Sequence, residues 1–200
     1  MSDQSITQHY LDDIRASFRA YKKLAEKALA QIKDEEYFVT LDAESNSIAV
    51  IMKHMAGNMI SRWTDFLTTD GEKPDRNRDM EFVIDSEATK AGLLAYWEQG
   101  WACLFEALEP LQPEDCGRTV FIRGEEHTVV QAINRQMTHY AYHIGQMVFL
   151  AKHFRSNEWK SLSVPKNRSA GFNDYLGKKL HSGEVQHRFD VAASFVSESE

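Results

Sequence analysis

Apolar residues recur at three- and four-residue steps through most of this chain, which is the period of a helix with one buried face. Ile6, Tyr10, Ile14, Phe18, Tyr21, Ala25, Ala28 and Ile32 mark the first run and predict a helix over residues 4–34. A short irregular stretch follows at residues 37–42. Asn46 or Ser47 then offers an N-cap for a second helix reaching Thr68, with Ile48, Met52, Met55, Met59, Trp63 and Phe66 on its apolar face. Asp70-Gly71 and Pro74 break the pattern across residues 69–79. The connection to the next helix, about 18 residues, is longer than most helix–helix loops, and that length favours a loop lying over a site.

Asp85 or Ser86 is the expected cap of a third helix, whose inward positions are Leu93, Leu94, Trp97, Trp101, Leu104, Phe105 and Leu108, until Pro110 and Pro113 stop it. The period then changes to two around Arg123-Gly124, the pattern of a small hairpin. A fourth helix is expected from Thr128 to His153. Residues 156–175 read as an extended segment tethered by Trp159, Leu162 and Phe172, and the remainder as a tail, frayed or a short fifth helix. The expectation is an all-α four-helix bundle, one domain over residues 1–176 with a C-terminal tail at 177–200, and a hairpin before the last bundle helix.

Composition narrows the function classes. Hydrophobic residues make up 42% of the 200 and aromatics 11%, so the chain can bury a core and disorder is not its default. A net charge of −7 and a pI near 5.6 argue against nucleic acid as a partner, because phosphate binding needs a basic face. An anionic substrate would need a local basic patch. Arg76, Arg78, Lys166 and Arg168 in the two long loops could supply one, although solvated charge is their default. The opening MSDQSITQHY has no basic and apolar halves of a signal peptide, and no apolar run approaches the roughly 18–20 residues that span a bilayer, so a cytoplasmic protein without a membrane partner is expected. Cys103 and Cys116 lack Cys-x-x-Cys spacing and read as free, at least partly buried thiols.

Candidate chemistry concentrates in the fourth helix, in Gln136-Met-Thr-His139-Tyr-Ala-Tyr-His143-Ile-Gly-Gln146. Histidines at i and i+4 stand one turn apart on one face, so their rings can converge on one point. The catalytic Glu of the His-Glu-x-x-His metalloproteases is absent, its place taken by Tyr140, which excludes that mechanism. The pair could also be two surface or capping histidines. However, its stripe, with Ala132, Gln136, Gln146 and Leu150, lies beside the apolar stripe of Ile133, Met137, Ile144 and Val148. A shared cation would satisfy such inward-facing polar groups. His54 on the second helix is the best candidate for a third ligand, or else an exposed polar residue. Asn58, one turn later, could hydrogen-bond a ligand ring or a bound water. Three neutral imidazoles suit Zn²⁺, Ni²⁺, Cu²⁺ or Fe²⁺ and leave a position open, as catalytic sites do. His127 reads as helping to cap the fourth helix and His153 as a cation at its C-terminal end, while His9, His181 and His187 carry no site.

Taken together, HMAGN around His54 and HYAYHIGQM at residues 139–147 resemble the DinB/YfiT-like metalloenzyme superfamily. The stretches SRWTDFLTTDGEKPDRNRD and RGEEHTVVQAINRQMTHYAYHIGQ look especially like a subfamily catalogued only as a conserved domain of unknown function, over residues 5–155. The resemblance implies a four-helix bundle with His54, His139 and His143 as metal ligands, Zn or Ni being the leading ions. It also implies a metal that activates a low-molecular-weight thiol such as bacillithiol or mycothiol in an S-transferase; no thiol-binding motif of those relatives can be matched here.

Three functions follow as expectations. The first is a metal-dependent thiol S-transferase with a small-molecule substrate, for which Arg62, Gln136 and Gln146 join Asn58 as candidate surrounding residues and the loop arginines as anchors. The second is a metal-dependent hydrolase, which would need a base from Asp65 or from the 75–81 segment of the loop. The third is a non-enzymatic metal-binding bundle. A homodimer formed by pairing helices is compatible with each.

Overall fold

A computed structural model describes residues 3–182 and 194–195. It is an all-α bundle of long helices carrying one two-stranded hairpin. Helix α1, Asp3–Leu29, ends earlier than its apolar period suggested. Past Leu29 the amides of Gln31 and Ile32 bond to carbonyls three residues back, at 3.1 and 3.3 Å, so the chain tightens while Ile32 stays buried. The Tyr37 hydroxyl, in a 3₁₀ turn Glu35–Tyr37, also donates to the Leu29 carbonyl, at 3.3 Å.

Helix α2, Ile48–Trp63, starts at Ser47, whose hydroxyl accepts from the Val50 amide. It stops five residues short of Thr68 because Thr64 leaves helical geometry and Asp65 takes φ 49°. Helix α3, Lys90–Leu108, begins at Thr89, not at Asp85 or Ser86. The Thr89 hydroxyl caps the Gly92 amide, while the Asp85 carboxylate closes a local turn on the Glu87 amide. Strands β1, Thr119–Ile122, and β2, Glu125–Thr128, pair antiparallel. Arg123 and Gly124 between them have φ 57° and 75°, the two positive values that a tight hairpin turn requires.

Helix α4, Val129–Arg155, opens on a reciprocal cap between Thr128 and Gln131. The expected extended segment at 156–175 is only half extended. Residues 159–168 are irregular, but from Ser169 the chain forms a helix, α5, Ser169–Ser182, which also takes up the first part of the expected tail. The rest of that tail, apart from Ser194 and Phe195, lies outside the described residues. No described helix is long and apolar enough to cross a membrane.

Helix α2 packs on α3 and α4, and α1 packs on α4. Of the residues of α2, only Lys53 and Ile60 escape full burial, so this helix is buried on nearly all sides rather than amphipathic. Phe18, Trp63, Trp101 and Tyr140 meet edge-on or tilted at the centre. Cys103 and Cys116 are free thiols, half-buried and buried.

The α2–α3 contact closes at Gly100, where a Cβ would lie 2.9 Å from the Ala56 Cα. Gly100→Ala gains about 1 kcal/mol of helix propensity but forces two backbones apart, at a cost of about 1–3 kcal/mol. We expect a net loss of stability in urea denaturation. An unchanged or raised midpoint would show that the two helices separate freely.

Candidate metal centre

Helices α2 and α4 bring His54, His139 and His143 together. His54 and His143 are 4% and 6% exposed and His139 is half-buried, which removes the reading of surface histidines. One ring nitrogen from each lies within 4.8 Å of the others. The Nε2 atoms of His54 and His139 are 3.2 Å apart. Two nitrogens bound to one zinc at about 2.0–2.1 Å in tetrahedral geometry would stand roughly 3.3 Å apart, so that pair is already at the spacing of a chelate.

The outer edges of the rings decide which nitrogens face inward. His54 Nδ1 donates to Glu81 Oε2 at 2.8 Å, and that carboxylate also takes Arg76 Nε on Oε1 at 2.7 Å and Nη2 on Oε2 at 2.9 Å. An ionised Glu81 requires the proton on Nδ1, which leaves the Nε2 lone pair of His54 turned toward the other two histidines. His143 Nδ1 donates to Gln146 Oε1 at 2.9 Å. Its Nε2 is buried with no hydrogen-bond partner, a lone pair in a place where polar atoms are otherwise satisfied. A divalent cation fits that arrangement: neutral imidazoles supply its donors, and it would satisfy the orphaned nitrogen.

Phe82 lies 4.9 Å from the His54 ring, and Tyr142 4.1 Å from that of His143, centroid to centroid. Arg76 is also bonded to Glu72, which binds Arg62 and Arg123 as well. Burial, then His143 and His54, then Arg62 and Arg76, push His139 down from 6.5 to about 3. Burial chiefly, with His54, lowers His143 to about 4 against the hydrogen bond with Gln146. Burial would raise the Glu81 carboxyl, but His54 and Arg76 outweigh it and hold the group below its ordinary value.

The profile of a family described as Protein of unknown function (DUF1572) matches residues 5–168, most of the chain and all three histidines. The chain belongs to this family. No curated protein and no solved structure matches it.

The other residues singled out in this family member's sequence divide sharply. The Asn58 amide oxygen accepts from the Tyr140 hydroxyl at 2.9 Å, itself bonded to Trp63 Nε1, so Asn58 ties α2 to α4 instead of holding a ligand ring through that oxygen. Arg62 is buried and pairs with Glu72 and the Gly71 carbonyl, with its Nε unpartnered. Gln136 is buried with an unpartnered amide oxygen, and Gln146 is the exposed partner of His143. Among the loop cations, Arg76 joins the site, Arg78 lies over Phe82, Arg168 lies over Phe195, and Lys166 is exposed.

His127 sits in β2, near Glu125, and Thr128 does the capping expected of it. His153 is exposed in the last turn of α4, His9 is exposed on α1, and His181 bonds the Gly177 carbonyl. His187 lies outside the described residues. Sequence reasoning gave Glu81 only as one possible base. Its contact with His54 spans 27 positions, and no spacing rule reaches that far.

The two depressed imidazoles have a consequence for stability. Unfolded, they take up protons below about pH 6.5; folded, they stay neutral down to about 4 and about 3. The unfolded state therefore binds more protons between those limits, and chelator-stripped protein should lose stability as pH falls through that window. Urea midpoints at its two ends test this, with His139→Gln expected to shrink the drop. A wild-type midpoint that does not move would refute it.

Proposed function

We propose that this protein binds one divalent transition-metal ion, Zn²⁺ or Ni²⁺ foremost, through His54, His139 and His143, and uses it as a metal-dependent enzyme acting on a small molecule. The observation that carries the reading is the buried, unpartnered Nε2 of His143 beside the closely spaced Nε2 atoms of His54 and His139. Three neutral ligands leave the ion its full charge and an open position, from which it would lower the pKa of a bound thiol or water.

Among the reaction classes we favour activation of a low-molecular-weight thiol, as the DinB-like resemblance implies. The surroundings support this over a hydrolase, which would need a free base beside the ion. Glu81 has both oxygens engaged, by His54 and by Arg76, and Asp65, Asp75 and Asp79 are exposed. Phe82 and Tyr142 would supply aromatic walls against which a substrate is held.

Metal analysis of protein prepared without a histidine tag should find about one equivalent of a transition metal, and His143→Ala should remove most of it while leaving the helical content unchanged. Protein that neither carries nor takes up metal would sink the reading. With metal present, a panel of thiols and a generic electrophile should show metal-dependent thiol consumption. Metal-dependent turnover indifferent to thiol would move the assignment to hydrolysis.

A further inference from the structure

Glu81 is a buried carboxylate whose position is set by a helix that it does not belong to. It lies in a 3₁₀ turn, Asp79–Phe82, at the end of the long loop after α2, and is 6% exposed. A lone buried carboxylate is costly unless paired, and Arg76 pairs it in a two-pronged contact from the same loop. That pairing spans five residues of one loop and does not by itself tie the carboxylate to α2. The third partner, His54 Nδ1 at 2.8 Å, fixes the carboxylate against α2.

The fit requires a missing side chain. Gly57 stands three residues after His54, on the helix surface that Glu81 meets. A Cβ there would lie 2.6 Å from Glu81 Oε1, 3.0 Å from its Cδ and 3.2 Å from the Tyr96 hydroxyl. Glycine inside a helix costs about 1 kcal/mol relative to alanine, and the φ of Gly57 does not require it. The space that it leaves is filled by the carboxylate that holds His54. Gly57 and Glu81 are thus two halves of one device.

We propose that Glu81, seated on Gly57 and anchored by Arg76, is a positioning residue for the metal site. It holds His54 as the Nδ1–H tautomer, fixes the ring's rotation, and so presents the Nε2 lone pair to the ion. The proposal rests on the metal-binding reading above. Hydrogen-bonded carboxylates behind metal-binding histidines typically strengthen metal affinity by about 10- to 100-fold.

The test compares Co²⁺ affinity, by chelator competition and the visible spectrum, in stripped wild-type protein and three variants. Glu81→Gln keeps the shape but turns an amide N–H₂ toward either Arg76 or His54. It should weaken Co²⁺ binding by about 10- to 100-fold. Gly57→Ala improves helix propensity while pushing the carboxylate away, so it should weaken binding similarly without loss of helix.

Asp70→Ala is the control for loop loosening. It removes the carboxylate that accepts from the amides of Glu72, Arg123 and Gly124, yet leaves Glu81, Arg76 and His54 intact. Its Co²⁺ affinity should stay close to wild type. Nitrogen-15 spectra should show His54 as the Nδ1–H tautomer in the wild type and a mixture in Glu81→Gln. A purely structural role would leave that tautomer unmoved.

Wild-type protein that binds no Co²⁺ would bring down the metal reading, and this proposal with it. Wild-type binding with unaltered affinity in Glu81→Gln, or an equal loss in Asp70→Ala, would overturn the positioning role alone. If Gly57→Ala does not fold, Glu81→Gln and the tautomer decide the matter.

Discussion

A helix buried on nearly every side can carry polar residues only where other elements come to meet them. Helix α2 carries four such groups, and their needs lay out the site. His54 is met by Glu81, Asn58 by Tyr140, Ser61 by the Gly71 carbonyl and the Lys73 amide, and Arg62 by Glu72 and Gly71. Three of those four groups are met from the single loop after α2. The loop therefore runs back along the helix that precedes it, and its course is set by these hydrogen bonds together with the burial of Phe66 against Trp63.

The same loop is held on its other side by the hairpin. Asp70 accepts from the amides of Arg123 and Gly124 at 2.8 and 2.7 Å, the Gly71 amide donates to the Phe121 carbonyl at 2.8 Å, and Glu72 reaches the Arg123 guanidinium. The hairpin in turn leads directly into α4 and its two histidines. Charges alternate from Arg123 through Glu72 and Arg76 to Glu81, whose carboxylate accepts from His54. The buried Arg76–Glu81 pair contributes little net stability when desolvation is counted, and its use here is directional: it orients one imidazole.

That orientation separates the three histidines chemically. His54 has its outer nitrogen bound to a carboxylate, and His143 has its outer nitrogen bound to an amide. His139, less buried than the other two, faces both rings and carries the largest depression, to about 3, for which burial is the main cause. Without an occupant, the Nε2 atoms of His54 and His139 can share a proton across 3.2 Å, whereas the buried Nε2 of His143 has no partner, and the cost of burial falls there.

Local pattern and spacing determined much of this protein: the long helices, the hairpin at Arg123-Gly124, the Thr128 start of α4, and the i, i+4 pair of His139 and His143. These depend on interactions within a few residues, which a linear pattern records. Spacing left His54 open between a third ligand and an exposed polar residue, and the family resemblance supplied it; its burial could not be read from a helix whose apolar stripe looked one-sided. Helix ends went astray at Leu29, Trp63 and Thr89, where tightened turns, a positive φ at Asp65 and competing caps outweighed periodicity. The extended reading of residues 156–175 failed in its second part, where α5 begins, since a helix of 14 residues offers few turns over which a period can be read. Only the tertiary structure decided that α2 would be enclosed, that Asn58 would serve Tyr140, and that Glu81 would settle on Gly57 behind His54. Those outcomes rest on contacts between residues far apart in sequence, selected by the burial of polar groups that no local pattern can pair.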